Sequence, residues 1–268
     1  MLYYLLLIVP CILSSYCFDT FKVGLESGYR QERLQYTSAV EDRAIGWKNM
    51  NGWQNLLKAS LSSENRIYVE GTLSYTRIFE RQKSNGNSTF AELLLGYSLT
   101  WNCITFTPLV SYVYENDQIH CHNAGTYILS NDDLAQMKGF YSTRFQGPSL
   151  GVKADTTWNN WDVSILGQYI FADFLGRSKW TIGSEYIHKF RQKASHAYGV
   201  YLKASILYNL SCNWKWGLVG DFTYFKANRS SEKGTLEFLS SNDVNYHAKT
   251  KEAIMRAFGV RGIVEYEF

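Results

Sequence analysis

Along most of the chain, apolar and polar residues alternate with a period of two. In the last twelve residues Phe258, Val260, Gly262, Val264, Tyr266 and Phe268 share one face, and Ala257, Gly259, Arg261, Ile263, Glu265 and Glu267 share the other. Successive side chains of an extended strand point to opposite sides, so the pattern predicts a strand with one apolar and one polar surface. The same rhythm runs through Phe21–Leu25, Ile67–Tyr75, Ala91–Trp101, Trp161–Phe171 and Trp214–Tyr224, and most cleanly through Tyr198–Leu210. From Phe18 onward about ten such segments follow one another, with no helical domain among them.

The connectors sort by parity. Ser62–Asn65, Asn102-Cys103, Asn159-Asn160 and Ser211–Asn213 are tight turns. The alternate ones start with the brief Ser38–Arg43 and Lys83–Asn87, and lengthen to Asn116–Lys138, Gly176–Ala194 and Lys226–Lys251. A soluble sandwich has no reason to sort its loops this way, whereas a membrane barrel puts short turns on the periplasmic side and long loops outside. The expected fold is therefore all-β: a transmembrane antiparallel β-barrel of about ten strands, an even number that brings both termini to the short-turn side. Trp101, Trp158, Trp161 and Trp214 flank the short turns, where a lower interfacial aromatic belt belongs. The closing strand should pair with Phe21–Leu25, because a barrel must leave no open edge in lipid. Its ending also resembles the last strand of bacterial outer-membrane barrels, which implies Tyr266 and Phe268 as the signal read by the barrel assembly machinery.

Composition agrees. Aromatics make up 16% of the 268 residues, with 20 Tyr and only 3 Pro, and charged residues make up 19%. Mean hydropathy is slightly negative, unlike a bundle of membrane helices. A net charge of +3, with no basic run, gives no support for a nucleic-acid partner. Residues 1–17 hold the one strongly hydrophobic run, too short to span and followed by small residues, so they read as a signal peptide ahead of a barrel at 18–268. The expected location is the bacterial outer membrane, with outer-membrane lipid as a partner. Cys103, Cys121 and Cys212 leave an odd number in an exported chain, which points to free thiols or intermolecular disulfides. His120-Cys121-His122 is a poor metal site, because neighbouring positions point apart; no metal and no cofactor are expected.

The inward face should carry Lys22, Arg30, Lys58, Lys153, Lys203, Lys215 and Arg261, balanced by Glu26, Glu70, Glu92, Asp155, Asp162, Asp221 and Glu265. Barrels of about eight strands are filled by side chains and open channels need about sixteen, so matched charges in ten strands imply a narrow or occluded lumen. Around Gly147-Pro148 the apolar face switches from Tyr141, Thr143 and Phe145 to Leu150, Val152 and Ala154, as a β-bulge would make it do.

Three stretches carry a family resemblance: GYRQERLQY near the start, FTPLVSYVYENDQI in the middle, and FYSTRFQGPSLGVKADTTW. Their order and motifs resemble the outer-membrane protein family of chlamydia-like bacteria named for Protochlamydia. The resemblance implies a porin-like outer-membrane barrel. The chain departs from the family pattern at Ser111, where a Gly is usual, and at Gln146 and Ser149 beside the Gly-Pro. The architecture also resembles omptins, ten-stranded outer-membrane proteases whose catalysis needs an outer-loop Asp pair and an Asp-His couple. Arg81–Thr89 contains no Asp, and Glu185 with His188 does not make an Asp-x-His. Asp132-Asp133 lies in a different loop. Without the carboxylate pair there is no general base, so no enzyme is expected. The expected function is a porin-like or structural envelope role, with a surface-binding barrel acting through its outer loops as the alternative.

Overall fold

The computed structural model describes residues 18–37, 44–63, 66–79, 84–121, 137–182, 186–238 and 243–268. The signal-peptide segment, Asp132-Asp133, His122 and Glu185 lie outside them. In chain order the strands are β1 (Phe18–Thr37), β2 (Ala44–Ser63), β3 (Ile67–Phe79), β4 (Ser84–Tyr97), β5 (Leu99–Trp101) and β6 (Ile104–Cys121). There follow β7 (Met137–Trp158), β8 (Trp161–Ile182), β9 (Tyr186–Asn209), β10 (Trp214–Asn228), β11 (Ser231–Phe238), β12 (Val244–Lys249) and β13 (Glu252–Glu267). They occupy ten wall positions, because β4 and β5 share one, β10 continues into β11, and β12 continues into β13.

Every neighbouring pair is antiparallel, and two pairings close the ring. β10 pairs with β9, and β13 pairs with β1 from Lys22↔Glu267 to Tyr36↔Ala253. Phe268 adds a last bond, its N–H donating to the Phe21 carbonyl at 2.8 Å. Closure satisfies the backbone polar groups where no water can reach them. Asn102 and Asn159 take left-handed φ values of 54° and 52° at the two tightest turns, a conformation Asn adopts more readily than most residues.

Outward side chains divide the wall by height. Leu25, Leu73 and Ile165 are 64%, 61% and 59% exposed, in a continuous apolar band that a soluble protein would not show to water. Phe21, Trp101, Trp158, Trp161, Trp214 and Phe268 rim its lower edge, and Tyr29, Trp53, Tyr75, Tyr112 and Tyr169 rim the upper one. Above that rim the outward positions turn polar, as at Gln31, Arg33 and Gln35 of β1. Crossing a bilayer takes about 9–11 tilted residues. Strands of 20–24 residues such as β1, β2, β7, β8 and β9 therefore stand well clear of the membrane on the outer side.

This extension corrects several connector assignments. Ser84–Asn87 is the start of β4, Asn116–Cys121 is the end of β6, and nearly all of Gly176–Ala194 is wall. Lys226–Lys251 is largely the β11–β12 hairpin, joined to the barrel by a kink where the Arg229 N–H donates to the Lys251 carbonyl and the Thr250 N–H to that of Ser230. Polar outward residues made these stretches look like loops; above the membrane a strand's outer face meets water and is polar. The bulge at Gly147-Pro148 is also corrected. β7 keeps an unbroken register, with Pro148 opposite Tyr112 and Gly147 opposite Val113. Tyr141, Thr143 and Phe145 are buried inside, and Leu150 and Val152 face lipid. The apolar side changed because the environment did, not because the strand slipped. Among described residues the irregularities lie elsewhere, at Ala172/Phe174 between β8 and β9 and at two points between β1 and β2.

Candidate functional site

The candidate site is the lumen, which is stacked in layers from the periplasmic end upward. Lowest is a cavity of about 740 Å³, bordered by Lys22, Lys58, Glu70, Lys153, Asp155, Asp162, Lys203, Lys215 and Glu265. Its ion pairs cross between strands: Lys58 Nζ to Glu265 at 2.8 Å, Lys215 Nζ to Asp162 at 2.8 Å, and Lys22 Nζ to Glu267 at 3.1 Å. Lys153 pairs with Asp155 at 3.1 Å and also lies over the Tyr68 ring, 4.4 Å from its centre.

The second layer is centred on Arg261, which is 1% exposed. Its Nε donates to Glu26 at 2.8 Å, and its Nη1 reaches Asp221 and the Gln54 side-chain carbonyl. Lys203 completes the group from across the lumen, 2.9 Å from Glu26. The local backbone makes room for the guanidinium. A Cβ on Gly28 would come 2.6 Å from the Arg261 Cα, and one on Gly259 would come 2.6 Å from its Nη1. Beside this group Glu92 accepts from Gln168 at 2.6 Å and from Ser111 at 2.8 Å, and the Ser111 and Ser149 hydroxyls are 2.6 Å apart. Two of the three positions noted as unlike the resembled motifs, Ser111 and Ser149, thus face each other inside the barrel.

One turn of the strand pleat higher, Arg30 lies 2.6 Å from Glu115 and 2.6 Å from Glu32. Ser88 donates to Glu115 at 3.1 Å and Thr143 to Asp117 at 3.2 Å. Oxygen atoms of Glu32, Glu115 and Asp117 all fall within 4.8 Å of one another. Oxygen-only donors of this sort suit a hard cation. Here the positive charge beside them is the Arg30 guanidinium.

The top layer is aromatic. Tyr36 stacks on Tyr141 with ring centres 4.2 Å apart, Trp47 lies 5.5 Å from Tyr141 and 5.9 Å from Trp180, and Phe190 packs 5.6 Å from Tyr36. Phe145 joins Phe174 and Phe225 at 4.9 and 4.8 Å. Tyr36, Tyr141, Phe145 and Phe225 are all 0% exposed, and they belong to one continuous buried cluster. Beside it, His188 Nε2 lies 2.6 Å from the Tyr246 hydroxyl, which donates to Glu232; Gln192 donates to the other Glu232 oxygen at 2.7 Å.

All fourteen charged residues expected in the lumen are inside it, each either buried or on the lower cavity. Tyr266 and Phe268 sit in the closing seam, their rings 4.6 Å apart and Phe268 stacked on Phe21 at 5.2 Å. The even charge balance, in contrast, holds only for that set. Glu32, Glu115, Asp117 and Glu232 are also inside, and so is the aromatic cluster. The signal that could have found Glu32 and Glu115 was phase, since Glu32 continues the alternation of Arg30 on β1 and Glu115 that of Ser111 and Val113 on β6. Cys103 and Cys212 are free and exposed in the periplasmic turns, and the Cys121 side chain lies outside the described residues.

A closed antiparallel barrel with an apolar waist, two aromatic rims and a polar interior is a bacterial outer-membrane β-barrel. Residues 79–268 match the family model described as Protochlamydia outer membrane protein, and the chain belongs to that family. Among solved structures, the outer-membrane protease OmpT from Escherichia coli superposes with a TM-score of 0.68 at 10% identity, over 94% of this chain and 98% of that one. The translocator domain of the autotransporter NalP from Neisseria meningitidis gives 0.40 at 11% identity, over 97% and 95%. The likeness to OmpT is one of fold alone. No curated protein matches the chain in sequence.

Proposed function

We propose that the protein is a structural barrel of the outer-membrane envelope whose lumen is occluded, rather than an open porin. The observation that carries this reading is the stack of Tyr36, Trp47, Tyr141 and Trp180 across the outer half of the lumen, every ring at most 2% exposed. Below it the Arg261 and Arg30 clusters fill the bore with paired charges, so a solute would have to break buried ion pairs and separate packed rings. Breaking one such pair costs several kcal/mol, on the order of 3–5, and a narrow path through several is closed at thermal energies. The test is reconstitution of the refolded protein in planar bilayers. Flat baselines at moderate voltage are expected; discrete, reproducible conductance steps would overturn the reading.

We also infer that the barrel is not a protease of the omptin kind. The outer end of β4 presents Asn85 and Asn87 where a carboxylate pair would be needed. His188 is 2% exposed and engaged with Tyr246, which supports a packing role. Folded protein in detergent should leave peptide substrates intact.

A further inference from the structure

Outside the lumen, the wall above the upper aromatic rim carries a basic array that runs across four neighbouring strands, longer than the single Arg33–Arg256 pair on β1 and β13. Cross-strand register lines up its residues. Arg177 of β8 is opposite Arg191 of β9, Arg191 is opposite Lys233 of β11, and Lys233 is opposite His247 of β12. All four are exposed. Adjacent strands are about 4.8 Å apart, so the row crosses four strands in roughly 14 Å. The next row up places Lys179 opposite Lys189, and the next row down carries Lys193 on β9 and Arg144 on β7, both beside Leu175.

Like charges directly opposite one another destabilise a sheet. Cation next to cation, at Arg177–Arg191 and again at Arg191–Lys233, therefore needs a partner to offset it. Among the described residues Glu237 pairs with Lys189, whereas Arg177, Arg191 and Lys233 make no ion pair. A groove of about 620 Å³ runs over these side chains, between Phe140 and Tyr246.

We propose that this row is a binding site for an extended acidic polysaccharide bearing sulfate or phosphate groups. Height argues against the headgroups of the surrounding membrane. Arg177 lies six residues beyond Phe171 at the rim, and Arg191 seven residues from Tyr198. At about 3.3 Å per residue and a tilt of about 40°, the row stands roughly 15 Å above the hydrocarbon, beyond a headgroup layer of about 5–8 Å. Composition argues against the other polyanions. Single-stranded nucleic acid stacks its bases on aromatic platforms, and protein interfaces have an aromatic or aliphatic centre. Here, among the described residues of these rows, Phe140 is the one exposed Phe, Tyr or Trp. A polysaccharide needs neither, since its hydroxylated backbone meets polar side chains and its anions meet the cations.

The test uses the full barrel in neutral detergent micelles, with dextran sulfate and uncharged dextran of equal length as probes. Dextran sulfate should bind with an affinity that falls as salt rises, and neutral dextran should not bind. The triple variant Arg177→Gln/Arg191→Gln/Lys233→Gln should weaken binding at least tenfold. The control Arg33→Gln/Arg77→Gln/Arg256→Gln removes the same charge from other parts of the outer wall and should change it less than twofold. Equal losses in both variants would reduce the effect to bulk charge and overturn the site, as would unchanged binding in the first. Tighter binding of an oligonucleotide, an acidic peptide or anionic vesicles than of dextran sulfate would also overturn it. Heat-modifiable gel mobility checks that each variant is folded. The outcome is independent of conductance, so the occluded-lumen reading and this site can fail separately.

Discussion

The lower and upper halves of this barrel are built on opposite rules. Along the lower part of β1, Phe21 and Leu25 face outward while Glu26 and Arg30 are buried inside. A few residues higher on the same strand, Gln31, Arg33 and Gln35 face outward while Leu34 and Tyr36 are buried inside at 1% and 0% exposure. β7 inverts in the same way, from Leu150 and Val152 outside to Tyr141 and Phe145 inside. The alternation of β1 and β7 keeps its phase between the halves. The medium outside does: lipid below, water above. Where lipid surrounds the wall, polar groups retreat to the lumen and must be paired there. Where water surrounds it, the hydrophobic effect returns and the lumen becomes an ordinary core. One strand thus obeys the membrane rule and the soluble rule in succession.

The comparison can be broken most forcefully inside the lower half. Arg261→Met strands Asp221 without its partner and leaves Glu26 with Lys203 alone, and should cost about 3–5 kcal/mol. Reversible urea unfolding in lipid vesicles measures this, and replacing Glu26 and Asp221 by Met and Leu in the same background should recover much of the loss. A destabilisation that the compensating changes leave untouched would mean that Arg261 acts by shape rather than by charge.

In the upper half the equivalent insult is a cavity. Phe145→Ala, which leaves Phe174 and Phe225 without their common neighbour, should cost about 3–4 kcal/mol by the same unfolding measurement. It should also leave the apolar waist and membrane insertion intact. A cost below about 1 kcal/mol would show that the outer lumen is loosely packed and would weaken the idea that it is a core.

The outer faces give the smallest contrast and the sharpest one. Leu25→Arg, midway between the aromatic rims, should cost about 2–4 kcal/mol, since a cation on the lipid face at mid-depth is expensive. Gln35→Arg, ten residues further along the same face of the same strand, should change stability by no more than about 0.5 kcal/mol. Equal costs at the two positions would move the membrane boundary and contradict the inversion.

Strand identity, barrel closure and the inward charges of the lower half were legible in the residues alone, because period-two alternation and sorted turns are local properties. Lys22, Glu26, Lys58 and Arg261 could be assigned a face by counting from Phe21, Leu57 or Val260. The upper half was harder, since alternation tells which residues share a face and not which face meets water. Tyr141 and Phe145 looked lipid-facing because apolar residues face lipid lower down. Treating their burial as a change of strand phase produced a bulge that β7 does not have. The stretches 176–194 and 226–251 looked like loops for the same reason, as their outward Arg and Lys residues fit a strand only once the wall is known to continue above the membrane.

What the amino-acid sequence by itself determined is the pattern: ten wall segments, their turns, and two sets of residues on opposite sides of each. What only the tertiary structure decided is how those sets meet. Arg261 finds Glu26, Asp221 and Gln54 from three other strands, and Tyr36, Trp47, Tyr141 and Trp180 form one stack from four. The same is true of Arg177, Arg191 and Lys233, which are scattered along the chain and aligned by register. The physical reason is that alternation is written within a strand, whereas pairing, packing and charge alignment arise between strands, from a register that closes only when the whole ring does.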